Sequence, residues 1–379
     1  MIVEQLELVD FRNYASARFA LAKGTTAVVG RNGQGKTNLA EALAYLATLE
    51  SFRGVNPDAL VRVGAEQAIV RATVRHDDGR ELLVEAEIAR SGRSRVLVNR
   101  QRLGRARELL GVVRVTVFSP DDLALVKGGP GERRRFADDV LVALAPKHDA
   151  LRLELERVLR QRNTLLKQAG AGARSGRSLA EDVEITLDVW DAKLAELGEQ
   201  LGRARAALVE RMTPHVVESY AQLAGKPVAV ELVYDPPWRP GGLAAALLAA
   251  RGDDLRRGVS TVGPHRDDIE LVLGGLPGRT HASQGEQRSL ALALRLGAHR
   301  LVAERTGTPP LLVLDDVLSE LDPDRAAALL GHLPGCQVVI TTAGALPATA
   351  HPDRVVHVEG GAVADDDAGM GTWPTTSDR

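Results

Sequence analysis

Gly30-Arg31-Asn32-Gly33-Gln34-Gly35-Lys36-Thr37 fits the spacing G-x-x-x-x-G-K-[ST]. An apolar run, Thr25 to Val29, precedes it, and a helix-patterned stretch, Asn38 to Leu49, follows. Strand, glycine loop and helix in that order open a phosphate-binding α/β unit. The glycines let the backbone curl so that successive N–H groups face one concavity. The following helix turns its positive end toward the same place. Gly30, Arg31, Asn32, Gly33, Gln34, Gly35, Lys36, Thr37 and Asn38 are therefore the candidate nucleotide-binding residues. Lys36 supplies a charge for the β- and γ-phosphates of ATP, and Thr37 a hydroxyl ligand for Mg²⁺.

A phosphate loop of this kind needs an acidic partner, and Leu311-Leu312-Val313-Leu314-Asp315-Asp316 fits that part. The apolar strand would fix Asp315 beside the loop, where it holds Mg²⁺ through water. Asp316 would then orient the attacking water as a general base. The plain alternative is a strand followed by a helix-capping aspartate. About 280 residues separate Lys36 from Asp315, so something large is inserted between the two halves of the site.

The insertion has its own pattern. Val183, Leu187, Trp190, Leu194, Leu197, Leu201, Ala204 and Leu208 recur at steps of four and three, a heptad seam. Leu151, Leu155, Val158 and Leu165 form a partner seam, interrupted at Arg162. With Ala169–Gly176 as a flexible turn, the simplest reading is an antiparallel helical arm; two ordinary amphipathic helices on a globular body are the alternative. Around it, period-two runs such as Ala68, Val70, Ala72, Val74 and Leu82, Val84, Ala86, Ile88, joined across Asp78-Gly79, predict a hairpin.

The expected fold is α/β, an ATPase head of mixed sheets with flanking helices. It divides into residues 1–130 with the phosphate loop, an inserted helical arm at 131–235, residues 236–362 with the acidic strand, and a loose tail at 363–379. The chain of 379 residues is 44% hydrophobic and 26% charged, with a net charge of −2. That balance excludes a globally basic nucleic-acid coat and leaves room for a local basic face. Arg90, Arg93, Arg95, Arg100, Arg102, Arg105 and Arg107 crowd one stretch, and Arg133-Arg134-Arg135 another. With a single cysteine, Cys336, there is no intrachain disulfide and no cysteine metal cluster. No membrane span and no leader are seen, so a cytoplasmic protein is expected.

Further motifs carry a resemblance. Ser283-Gln284-Gly285-Glu286-Gln287, before a helical stretch, resembles the ABC signature L-S-G-G-Q at Ser283 and Gly285. Gln284, Glu286 and Ala282 depart from it, and a plain N-cap is the even alternative. Ser319-Glu320-Leu321-Asp322 resembles the ABC D-loop. Leu8–Tyr14, Phe118–Leu123, Gly128–Pro130, Arg133–Phe136, Gly263–Asp268 and Leu314–Asp322 together resemble the RecF family of bacterial DNA replication and repair proteins. That resemblance covers nearly the whole chain. It implies an ABC-type head like those of Rad50 and SMC proteins, ATP-dependent homodimerisation, and Ser283 and Gly285 closing over ATP held by a second subunit. It also implies action on double-stranded or gapped DNA without sequence preference, RecO and RecR as partners in loading RecA, and a role in the SOS response. Arg12 is an ATP contact by the family pattern alone.

Departures qualify the expectation. No Q-loop glutamine stands out, with the Phe118–Asp122 region in its place. Thr341-Thr342 occupies the position where transporter ATPases carry histidine. A weak, DNA-stimulated, regulatory ATPase is expected, rather than fast turnover. A transporter subunit would be shorter and lack the arm; a Rad50 or SMC protein would need far longer coils, and Rad50 a Cys-x-x-Cys hook. A nucleotide-gated binding module, with ATP as dimerisation glue, is the rival from another class. His265 is read as an ordinary loop hydrogen-bonding residue. With 3% aromatic residues, base stacking on single strands is disfavoured against duplex or junction binding.

Overall fold

A computed structural model describes residues 1–174 and 181–365. The chain divides into two compact units: one holds Met1–Asp122, Gln222–Gly225 and the chain from Val302, the other Leu123–Ala221 and Lys226–Leu301. The contacts thus divide the chain at 122/123 and 301/302, whereas the sequence pattern placed its boundaries at 130/131 and 235/236. The signature-like segment Ser283–Gln287 falls within the second unit.

The first unit is built on two sheets. One is antiparallel, in the order β2 (Tyr14–Ala20), β1 (Ile2–Phe11), β4 (Gln67–Arg75), β5 (Glu81–Ala89), β6 (Arg95–Val98), β7 (Gln101–Arg102). The alternation read from the sequence sets its register: Val70 lies opposite Ala86 and Ala72 opposite Val84, with these side chains at most 1% exposed. The turn at His76–Gly79 is present, with Gly79 at φ 83°. On the other face Arg71 pairs with both Glu7 and Glu85, so opposite charges support neighbouring strands.

The second sheet has the order β15 (Ala362–Asp365), β14 (Arg354–Glu359), β3 (Thr25–Val29), β13 (Val338–Thr342), β12 (Leu311–Asp315), β8 (Val115–Phe118). All neighbours are parallel except β14 and β15. Every residue of β12 and β13 is buried, as an unbroken apolar run in a parallel sheet requires. Helix α1 (Lys36–Thr48) follows β3 and buries Leu39, Leu43 and Leu46, its apolar stripe, in a core shared by both sheets. Helix α9 (Pro323–Gly331) follows β12, capped by Asp322, whose side chain accepts from the Arg325 N–H. The expected loose tail begins later than residue 363: Gly360 and Gly361 turn the chain so that Val363 pairs with Val358. Residues 366–379 lie outside the described part.

The second unit is mainly helical: α2 (Leu123–Lys127), α3 (Pro130–Leu144), α4 (Lys147–Arg174), α5 (Glu181–Ala224, its end in the first unit), α6 (Leu243–Arg257), α7 (Gly278–His281) and α8 (Gln284–Thr306). A small antiparallel sheet, β11 (Leu276–Pro277), β10 (Glu270–Leu273), β9 (Val230–Val233), completes it. The leucines at steps of seven on α5, Leu187, Leu194, Leu201 and Leu208, are all buried. On α4 the pattern is less simple. Leu155 and Val158 are buried, but Leu166 replaces Leu165 in the core and Arg162 is fully buried. The reason is that α4 packs chiefly along α6 and α3 and meets α5 through the Arg162–Asp191 ion pair. The turn expected from Ala169 also begins later, since α4 continues through Arg174. The rest of that turn, at 175–180, lies outside the described residues. Among the described residues no helix is long and apolar enough to cross a membrane.

Candidate nucleotide site

The site forms where parallel strands end and the chain turns over them, the usual place for ligands in such sheets. β3 delivers the loop Gly30–Gly35, and α1 starts at Lys36. Gly30 has no substitute: a Cβ there would come within 2.3 Å of the Val358 carbonyl oxygen on β14. Gly35 caps α1 at φ 123°, a backbone that strains any L side chain, and a Cβ there would press on the ends of the Asn13 and Tyr14 side chains. The loop is braced from behind. The Tyr14 hydroxyl donates to the Gly35 carbonyl at 2.9 Å, and the Asn13 amide to the Gln34 carbonyl at 2.8 Å. Gly361 N–H donates to that Gln34 carbonyl and Gly360 N–H to the Gln34 side chain. Asn38 in turn donates to Asn13 at 2.8 Å. Arg31, Asn32 and Gly33 are exposed at the loop's crest. The first turn of α1 carries no acidic residue, which leaves its positive end to an outside anion.

Lys36 is only 6% exposed, and its ammonium donates to the Arg31 carbonyl at 3.0 Å. Burial holds it below the usual lysine range, against the pull of Asp316 and Asp315. Thr37 and Asp315, 278 positions apart, meet: the threonine hydroxyl donates to Asp315 Oδ1 at 3.1 Å. The same oxygen accepts the Thr341 hydroxyl at 2.7 Å. Burial pushes the Asp315 carboxyl above its ordinary range, only partly offset by those two donors. A cation beside it would reverse that balance. Asp316 takes a left-handed backbone, φ 53°, and its Oδ1 is buried without a hydrogen-bond partner.

The donor set fits Mg²⁺: one hydroxyl and one carboxylate, both hard oxygens. No cluster of three or more acidic, histidine or cysteine side chains that could hold a metal ion occurs among the described residues. Mg²⁺ keeps waters and takes phosphate oxygens to complete its shell.

Other expected residues are placed differently. Arg12, at φ 55°, directs Nε and Nη2 to the buried Glu41 carboxylate at 2.7 and 2.8 Å and Nη1 to the Ala59 carbonyl. Three of its five N–H donors are thus engaged by the protein. The sequence reading missed Glu41, which also accepts the Ser51 hydroxyl. Asp122 accepts the Ser119 N–H at 3.0 Å, closing the turn after β8 beside β12. The Thr341 hydroxyl, noted in sequence only as a missing histidine, turns out to bind the acidic residue itself.

In the second unit, Ser283 and Glu286 form a reciprocal cap at the start of α8. Ser283 N–H donates to Glu286 at 2.8 Å, and Glu286 N–H to the Ser283 hydroxyl at 3.3 Å. Ser283 is exposed, and Gly285 stands in the first helical turn. The Gly263–Asp268 block is a hub. Tyr234 and Trp238 donate to Asp267, and Arg133 forks onto Asp268 at 2.8 Å through both Nε and Nη2. His265 bonds the Ser260 carbonyl at 3.0 Å, and burial lowers its basicity. It is a loop residue, as expected.

These contacts sort the arginines. Arg133 and Arg134 are committed within the unit, Arg134 to the Asp267 carbonyl, which removes them from a free phosphate-binding cluster. Arg90 binds the carbonyls of Val61, Arg62 and Ala65. Arg95 faces Glu87 and Arg107 faces Glu50. Arg93, Arg100, Arg102 and Arg105 are exposed around β6 and β7 and have no acidic partner among the described residues.

A family model, the RecF/RecN/SMC N terminal domain, matches residues 2–359. The chain is 47% identical over 357 residues to the DNA replication and repair protein RecF of Streptomyces avermitilis, an alignment covering 90% of this chain and 94% of that protein. Against the protein of the same name from Kineococcus radiotolerans it is 43% identical over 396 residues, covering 97% and 100%. A solved structure of the recombination mediator protein RecF-ATPrS in the RecFOR pathway has a TM-score of 0.86 at 29% identity, with 96% and 98% of the two chains covered. An Smc head bound to the C-winged helix domain of ScpA gives 0.57 at 18% identity, covering 96% of each chain, a likeness of fold alone.

Proposed function

We propose, since this chain belongs to the RecF family within the RecF/RecN/SMC N-terminal domain proteins, that it binds ATP and acts on DNA in replication and repair. The observation that carries the nucleotide part is the junction of Thr37 with Asp315 across the inserted unit. A buried carboxylate beside a phosphate-loop hydroxyl has no structural need of that partner alone. Relatives with ATP and ATPrS bound support the same ligand. Mg²⁺, held by Thr37 and Asp315, would neutralise phosphate charge. Lys36 binds the β- and γ-phosphates, and the loop N–H groups cradle them. Asp316 accepts the proton of a water whose oxygen bonds to the γ-phosphorus as the bond from that phosphorus to the β–γ bridging oxygen breaks. Turnover is slow and serves as a switch, stimulated by DNA. Work in the cytoplasm alongside RecO and RecR, and in the SOS response, belongs to this reading.

The ATP-bound state is a homodimer in which Ser283 and Gly285 of each copy close over the other's nucleotide. Sedimentation with and without ATP tests this. The unmodified chain should dimerise only with ATP, and Ser283→Arg should remain monomeric. A Ser283→Arg protein that dimerises normally with ATP would refute the closure in trans. Loss of the cap costs about 1 kcal/mol, so a thermal melt separates unfolding from failure to dimerise.

DNA is met by Arg93, Arg100, Arg102 and Arg105, whose charges give affinity without base readout. Replacing all four with alanine should flatten the salt dependence of duplex binding by up to about 3.6 in log–log slope, if each meets one phosphate. The effect should be equal on unrelated sequences. An unchanged slope would place the DNA elsewhere.

A further inference from the structure

Thr341 is the last but one residue of β13, in register with Asp315 on β12. Val338, Val339 and Ile340 before it are apolar and buried, and Thr341 itself is 0% exposed. A hydroxyl in so dry a place must be hydrogen-bonded to be tolerated. It donates to Asp315 Oδ1 at 2.7 Å and accepts the Asp316 N–H at 3.1 Å. The Thr341 carbonyl accepts the same N–H at 3.1 Å. One residue thus grips both members of the acidic pair. Its grip on Asp316 falls where the backbone is left-handed, a conformation that persists only when neighbours impose it. The conformation leaves Asp316 Oδ1 buried and without a partner.

We propose that Thr341 is a positioning residue for hydrolysis. It orients the Asp315 carboxylate with its donor hydrogen, and holds the Asp316 backbone so that the unpartnered oxygen faces the attacking water. This rests on the ATPase reading. It assigns to a buried threonine the alignment of the base, with no histidine beyond β13 required for it.

Thr341→Val keeps the shape and the strand preference and removes the hydroxyl. Turnover at saturating ATP should fall roughly ten- to a hundredfold, the cost of a base misplaced by a fraction of its reach. The ATP concentration for half-saturation should stay within about threefold, because Lys36 and the loop are untouched. The ATP-held dimer, followed by sedimentation, should persist longer in proportion. Thr341→Ser restores the hydroxyl and should restore turnover. A purely structural threonine would lower the melting temperature of Thr341→Val without dividing turnover from binding. Unchanged turnover in Thr341→Val, or a Thr341→Ser protein as slow as the valine variant, would overturn the proposal while leaving the ATPase reading standing. A fully active Asp316→Asn protein would overturn the proposal alone, whereas an unmodified chain without turnover would overturn the ATPase reading itself.

Discussion

Asp316→Asn should lose about a hundred- to ten-thousandfold in turnover, the range a positioned general base contributes, while ATP-dependent dimerisation survives. The substitution is well matched to the site. Asparagine adopts the left-handed backbone as readily as aspartate, so the φ of 53° carries no new strain. The side chain keeps its size and loses only its charge and basicity. Alanine would confound the result, since it tolerates that backbone poorly. Single-turnover hydrolysis, with sedimentation in parallel, reads both quantities. A variant that hydrolyses at the unmodified rate would remove Asp316 from the reaction. Equal loss of hydrolysis and of dimerisation would instead make it a binding residue. The rival view, with ATP as dimerisation glue, requires the unmodified chain to show no turnover above the asparagine variant.

The second large effect lies away from the nucleotide. Arg162 is fully buried and joins three elements. Its Nε donates to Asp191 on α5 at 2.5 Å, and its Nη1 to Asp254 on α6 at 2.7 Å and to the Ser260 hydroxyl at 2.8 Å. Asp191 also receives Arg251, and Asp254 receives the Thr261 N–H and hydroxyl. Arg162→Ala strands the Asp254 carboxylate without a countercharge in a dry interior, while Asp191 keeps Arg251, at a cost of about 3–5 kcal/mol. Against the 5–15 kcal/mol typical of a domain, that is a large part of the unit's stability. Arg162→Lys should recover little, because a single ammonium cannot fork between two acids. Denaturant unfolding should show an early transition for the helical unit. A variant with unaltered unfolding would mean that water already reaches the two aspartates.

Arg162 also shows what the sequence could convey. As a polar break in a heptad run it resembles a solvated position, and its partners stand up to 98 positions away in the chain. The phosphate loop was legible because its chemistry is carried by consecutive residues, and the β4–β5 register because alternation is local. Asp315 was legible because an apolar strand ending in an acid completes a loop already recognised. Thr341 was not, since its partner is 26 positions earlier and the place was read only as lacking the histidine of transporter ATPases. Arg12 shows a second contact that the sequence did not convey: a buried glutamate on α1 takes its fork, beside the phosphate contact that the family pattern alone suggested. Long-range polar pairing leaves no periodic trace, and these residues were lost for that reason.

The place of β3 in its sheet bears on how the protein is made. The strand that carries the phosphate loop pairs with β13 on one side and β14 on the other. A ribosome releases the loop early, yet neither neighbour exists until translation reaches the final strands. The antiparallel sheet, drawn wholly from Ile2–Arg102, can assemble long before that. A nascent chain therefore carries the edge of β6 and β7 for most of its synthesis before the strands that flank the phosphate loop exist. Premature termination short of β14 leaves the phosphate-loop strand flanked on one side only.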